Sequence, residues 1–372
     1  MLVTFRTDAS VDIGTGHVMR CLTLANTLKG HGCDCQFICR ELKGHLIDQI
    51  EEQGFYVYRL HYDPPVEMKT PVAREDYVLP SHADWLGVPW QSDAEACRPI
   101  LEVLEPDWLI VDHYALDARW EAEVCLPKSR LLVIDDLSDR EHLADVLLDQ
   151  NLGRKREDYT ALVPEHCLCL IGPEFALLRP EFACWRGLSL ARRRQQPNLK
   201  RLLISLGGVD KDNVTGQVLE ILKKCNLPNE CEISVIMGAS APWLREVKVQ
   251  VNELPWTSEV AVGVSDMGRR MAEADLAIGA AGSTSWERCC LGLPTLMVVL
   301  ADNQREIAEY LEMAGASLTL PIDSLQASLR SGLLQMEQPN ALIYASDCCA
   351  GVTDGGGAER VMERLITNLT NE

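Results

Sequence analysis

Short apolar runs end abruptly at a glycine or a polar residue, and each is followed by a longer segment of helical period. That alternation restricts the chain more than any other feature of its sequence. Leu2–Thr7 meets a Gly-rich turn before a helical pattern over 17–29, and residues 35–39 precede a second helical pattern over 44–53 that Gly54 stops. Trp108–Asp112 and the run at 131–135 each close on an aspartate. A second series opens at 202–206, runs into Gly207-Gly208, and continues through 233–237, 276–279 and 296–300. Strands that alternate with helices make βα units on a parallel sheet, and such open sheets gather their ligand residues at the C-terminal strand ends. The expected fold class is therefore α/β: two Rossmann-like, doubly wound domains with a ligand cleft between them.

A length of 372 residues suits two domains. The expected division is an N-terminal domain over 1–180, then 181–372 as a linker, a second domain and a closing helix over 358–369. The linker, 182–200, carries Arg192-Arg193-Arg194, which reads as a solvated charge run. Residues 61–91 are irregular and proline-rich, and a connection of that length is usually functional.

Thirty-five Lys and Arg against 55 Asp and Glu give a formal charge of −20. A surface that acidic repels polyphosphate backbones and anionic lipid, so neither nucleic acid nor a membrane is an expected partner. Nothing approaches the roughly 20 consecutive apolar residues of a membrane span. Arg6 and Asp8 leave no room for a signal-peptide core, so a cytoplasmic location is expected. The fifteen cysteines show no CxxC pair and no zinc spacing, and read as reduced thiols packed as small hydrophobes. No metal and no cofactor is expected.

Five strand ends are candidates for chemistry. Ile13-Gly14-Thr15-Gly16-His17 lies between a strand and a helix, where Gly14 and Gly16 permit close approach of a ligand and the helix start favours an anion. His17 at that entrance is suited to take a proton from water near neutral pH. Ala280-Ala281-Gly282-Ser283-Thr284-Ser285-Trp286-Glu287 opens another helix. There Gly282 allows close approach, Ser283 and Thr284 can cap the helix and donate to phosphate, and Glu287 can hold vicinal ribose hydroxyls. No lysine follows, so this is not a Walker A loop. Gly207-Gly208, the 301–304 segment with Asn303 and Gln304, and Val111-Asp112-His113-Tyr114 complete the set. Together they describe a site for a phosphate-bearing ligand. Asp135-Asp136 point to opposite faces of a strand, so they are read as a strand end and a turn rather than as paired carboxylates or a metal site.

These residues also carry a resemblance. The start, Phe5 to Ser10 with Ile13 to Cys21, resembles the UDP-sugar hydrolases of pseudaminic acid biosynthesis. So do Asp84-Trp85-Leu86-Gly87-Val88, Val111 to Asp117, Gly172 to Pro180, and Gly282 to Glu287. From Ala274 to Gln304 the chain also resembles the N-acetylglucosaminyltransferase of peptidoglycan synthesis. Both families share the GT-B fold. The resemblance implies His17 as catalytic base, with Gly282, Ser283 and Thr284 on a diphosphate and Glu287 on the ribose. It places Met267 near uracil and Asn303 and Gln304 toward the sugar. Gly14, Gly16, Arg20, Asp112, Tyr114, Gly207 and Gly208 join them as expected substrate contacts. The implied reaction is attack of water on the anomeric carbon with inversion, releasing UDP from a diacetamido-trideoxy sugar. A GT-B glycosyltransferase with a soluble acceptor is the alternative, and a non-catalytic nucleotide-sugar sensor a third class. Fold alone does not separate them.

Overall fold

The computed structural model describes residues 1–62, 80–239, 241–301 and 304–370. Residues 63–79, most of the proline-rich stretch, lie outside them, as does Asn303. Contacts divide the chain into two units, Met1–Leu177 with Ala358–Glu372, and Leu178–Gly357.

The first unit is a seven-stranded parallel sheet. Its strands are β1 (Leu2–Thr7), β2 (Asp34–Arg40), β3 (Tyr56–Leu60), β4 (Trp108–Asp112), β5 (Arg130–Ile134), β6 (Val146–Asp149) and β7 (Leu168–Ile171), in the order β3-β2-β1-β4-β5-β6-β7. Helices α1 (Gly16–Gly30), α2 (Ile47–Glu52), α3 (Trp90–Leu104) and α4 (Ala118–Val124) connect them. A parallel sheet covered on both faces needs apolar residues in both registers. Trp108, Ile110, Leu132 and Ile134 pack into one core, while Leu109, Val111, Leu131 and Val133 pack into the other. That is why β4 and β5 each carry an unbroken apolar run of four residues, whereas β1 buries Thr4 and Arg6 among its apolar residues.

The second unit repeats the plan with six parallel strands: β8 (Arg201–Ser205), β9 (Glu232–Met237), β10 (Thr257–Val262), β11 (Leu276–Ala280), β12 (Thr295–Val298) and β13 (Ser317–Leu320). Their order is β10-β9-β8-β11-β12-β13. Its helices are α5 (Pro180–Gln195), α6 (Val214–Leu222), α7 (Leu244–Asn252), α8 (Met267–Glu273), α9 (Thr284–Cys290), α10 (Arg305–Met313), α11 (Leu325–Met336) and α12 (Pro339–Ala350). In each sheet the strand order reverses between the first strand and the fourth, β1 and β4 or β8 and β11. Ligands of open α/β sheets bind at that reversal, outside the carboxyl ends of the strands.

Two expectations are corrected. The segment expected to be a solvated linker is helix α5 of the second unit. Arg193 is buried there and donates to the carbonyls of Met271, Ala274 and Leu291. Burial, reinforced by Arg192, lowers its pKa to about 9. Arg192 reaches Asp275 at 2.5 Å, and only Arg194 keeps an exposed pairing, with Asp347. The closing helix, Gly357–Thr370, was expected in the second domain. It belongs to the first unit, where Val361, Met362 and Leu365 complete the core beneath β1 and β2. Among the described residues no helix is long and apolar enough to cross a membrane.

Candidate active site

In the first unit the reversal point is built from α1 and the end of β4. His17 and Arg20 lie one turn apart on α1, on one helix face. Both meet Asp112, the last residue of β4, which is fully buried. His17 Nδ1 is 2.6 Å from Asp112 Oδ1, and Arg20 donates through Nε to Oδ2 at 2.6 Å and through Nη2 to Oδ1 at 2.7 Å. Burial opposes ionisation of Asp112, but Arg20 and His17 outweigh it and hold the carboxyl well below the usual range. An ionised Asp112 can only accept, so Nδ1 of His17 carries the proton and Nε2 presents its lone pair. Among the described residues Nε2 has no hydrogen-bond partner. A base oriented by a buried carboxylate is the part of a catalytic triad that abstracts a proton.

Arg20, expected at the substrate, is instead committed within the protein: its third nitrogen pairs with Asp136. Asp136 also accepts from the Tyr114 hydroxyl at 2.8 Å, and the Tyr114 ring stands edge-on to His17 with centroids 4.5 Å apart. Burial and the adjacent Asp136 raise the Tyr114 pKa, so its hydroxyl keeps its proton and donates. The opposite-facing geometry of Asp135 and Asp136 holds. Asp135 turns away to Arg140 at 2.8 Å and Tyr159 at 3.2 Å. That geometry is what frees Asp136 for the His17 side, so setting it aside as a turn residue missed a member of the site. Gly14 sits in the entry loop, which closes on itself through Gly14 N–H to Ser10 O at 2.9 Å, and Gly16 is the first residue of α1. His82 and Trp85 complete the surroundings, with ring centroids 5.6 and 5.8 Å from that of Tyr114.

The second unit's reversal point has a different character. Gly207 and Gly208 follow β8, and nothing lies within 4 Å of where a Cβ would stand on either. Gly282, Ser283 and Thr284 follow the adjacent β11. Ser283 occupies the N-cap position of α9, exposed, without a capping hydrogen bond from its side chain. Thr284 Oγ1 accepts from Arg288 at 3.1 Å. Arg288 is buried and also donates to Ser285 Oγ and the Ala280 carbonyl, and no ion-pair partner meets it among the described residues. Glu287 lies 3.8 Å from Arg179. Its pKa is pushed up to about 7 by burial, against the pull of Arg179 and Arg288. Met267 opens α8, and the next residue, Gly268, packs on the carboxylate arm of Glu181, whose neighbour Arg179 reaches Glu287. Gln304 uses its side-chain oxygen to accept the Leu300 N–H at 3.0 Å, which closes the loop after β12. Among the described residues no three His, Cys, Asp or Glu side chains are grouped to hold a metal ion.

Residues 202–360 match the glycosyltransferase family 28 C-terminal domain. The chain aligns over 98% of its length with 99% of the crystal structure of Acinetobacter baumannii MurG, at a TM-score of 0.72 and 14% identity. The fold is GT-B. Over 315 residues, 85% of this chain, it is 26% identical to 97% of the UDP-2,4-diacetamido-2,4,6-trideoxy-beta-L-altropyranose hydrolase of Campylobacter jejuni. A 131-residue stretch, 34% of each chain, is 34% identical to the UDP-N-acetylglucosamine–N-acetylmuramyl-(pentapeptide) pyrophosphoryl-undecaprenol N-acetylglucosamine transferase of Chromobacterium violaceum.

Proposed function

We propose that this GT-B protein is an enzyme that hydrolyses a UDP-sugar, with UDP-2,4-diacetamido-2,4,6-trideoxy-β-L-altropyranose, the compound named for its Campylobacter relative, as substrate. The observation that carries the reading is the His17–Asp112 pair, a buried carboxylate holding one imidazole nitrogen at 2.6 Å while the other stays open. Nε2 takes a proton from water as the water oxygen bonds to the anomeric carbon. The bond from that carbon to the diphosphate oxygen breaks, and its electron pair leaves with UDP. Attack opposite the leaving group inverts the centre. Asp112 stabilises the imidazolium that forms, and Arg20 fixes Asp112. The second unit takes the nucleotide: open glycines and the uncommitted Ser283 hydroxyl for the diphosphate, Glu287 for the ribose. Diphosphate is a good leaving group, so no second carboxylic acid is needed as in ordinary glycosidases.

The match of residues 202–360 to a glycosyltransferase domain supports a second reading, transfer to an acceptor other than water. Incubating the protein with the UDP-sugar and no acceptor, and following the anomeric proton by NMR, separates the two. Prompt formation of UDP and the free sugar supports the hydrolase. Substrate that binds and stays intact favours the transferase.

A further inference from the structure

The segment Asp84-Trp85-Leu86-Gly87-Val88 is built to hold one side chain in place. Residues Ala83–Leu86 form a single 3-10 turn, and Leu86 is buried in the core with Ile38, Leu60 and Leu116. Gly87 turns the chain at φ +73°, and a Cβ there would stand 2.9 Å from the Tyr62 ring and 3.0 Å from Leu42. No other residue fits that position without displacing both. Anchored on either side, Trp85 stacks on Tyr114 with centroids 5.8 Å apart and planes 25° from parallel. It also lies 4.3 Å from the His82 ring. Tyr114 in turn meets His17 edge-on.

Trp85 is not a core tryptophan. Trp108, Trp120 and Trp286 are fully buried, whereas Trp85 is only partly covered, and among the described residues its indole N–H has no partner. Core packing therefore does not account for its position. A rigid aromatic surface with one free donor, continuous with the catalytic base, has the composition of a small-molecule site: apolar area for binding and few polar groups for orientation. His82 adds to its apolar character, because burial and then Arg140 depress its pKa and leave the imidazole neutral near pH 7.

We propose that Trp85, supported by His82 and Tyr114, is the specificity-determining wall of the sugar site. It takes the methyl-bearing face of a deoxy, N-acylated sugar against its ring, and donates its N–H to an acetamido carbonyl. This inference rests on the UDP-sugar reading above and adds to it which part of the sugar is recognised. A 6-deoxy sugar with two acetamido groups carries three methyls, and an ordinary hexose carries none. An aromatic wall distinguishes the two by the water it excludes.

The test uses Trp85→Ala and Trp85→Phe, each in the full chain and also combined with His17→Asn so that the UDP-sugar survives the experiment. In the His17→Asn background, saturation-transfer NMR should show strong enhancement of the sugar methyls, lost in Trp85→Ala and largely kept in Trp85→Phe. In the active background kcat/KM should fall by about 10- to 100-fold in Trp85→Ala, mostly through KM, while inhibition by UDP changes by less than about twofold. Methyl signals unchanged by Trp85→Ala overturn the proposal, as does a His17→Asn chain with Trp85 intact that saturates uridine protons but not the sugar methyls. Parallel losses of UDP and sugar binding would mark Trp85 as structural and also overturn it. If the wild-type chain binds the UDP-sugar without cleaving it, the hydrolase reading fails, and the methyl saturation still decides the role of Trp85.

Discussion

The two units place their sites at the same point of the same topology and equip them in opposite ways. At the end of β4 the side chains pair with one another: Asp112 is matched by Arg20 and His17, and one oxygen of Asp136 by Arg20 and Tyr114. At the ends of β8 and β11 more is left open: glycines facing space and a serine hydroxyl that caps nothing, beside a buried guanidinium that, among the described residues, binds two hydroxyls and a carbonyl but no carboxylate. Proton transfer requires one ring nitrogen held in one tautomer and one direction, and the buried, ionised Asp112 holds it. Binding an anion requires donors that nothing within the protein has claimed. The contrast supports the proposal that the first unit carries the chemistry and the second the nucleotide, and each half of it can be broken separately.

The largest effect is expected at His17. His17→Asn should lower kcat by about 10²–10⁴-fold. UDP affinity, measured calorimetrically, should stay within about twofold of the wild type. A weakened UDP affinity with an unchanged kcat would reverse the division of labour. Asp112→Asn should cost about 10²–10⁴-fold in kcat through the wrong tautomer. It should also destabilise the chain by about 1–3 kcal/mol in denaturant unfolding, since Arg20 loses one of its two carboxylates and keeps only Asp136. An unfolding midpoint equal to that of the wild type would show that Arg20 is satisfied some other way. In the second unit, Arg288→Gln should weaken UDP by about tenfold and uridine hardly at all, the loss expected for a charge acting on the diphosphate. Equal losses for both ligands would make Arg288 a packing residue.

How much of this was legible in the sequence differs along the same line. β4 matches its expected bounds because a strand buried on both faces is apolar nearly throughout, and β1 matches although Thr4 and Arg6 interrupt its apolar run; the place of His17 was legible because it stands at a helix entrance after a strand. Polar circuits are less visible. Arg20 looked like a substrate contact and Asp136 like a turn, since pairing across 92 and 116 residues leaves no local mark. Helix α5 was hidden by its arginines, whose guanidinium groups leave the solvent to bind the last carbonyls of α8. The closing helix offers an apolar stripe that any core could accept, so its return to the first unit cannot be read from its position in the chain. In the second unit the open groups were the legible ones, because Gly-rich turns announce themselves by composition.

The smallest expected effect is also the most diagnostic for the nucleotide. Glu287 has its pKa pushed up from an ordinary value near 4.5 to about 7, with burial as the main cause. Ribose hydroxyls donate best to the ionised carboxylate. Uridine affinity should therefore rise several-fold between about pH 6 and pH 8, then level off. Stability carries the opposite sign. The folded chain holds the proton through a range where the unfolded chain has released it, so unfolding becomes easier as pH climbs from about 4.5 to about 7 and levels beyond. Glu287→Gln cannot titrate. It should bind uridine weakly at every pH, and it should gain stability relative to the wild type at pH 8 but not at pH 4. A variant whose affinity still rises with pH would place the ribose contact on another group, and would leave the open loops of the second unit to bind the diphosphate alone.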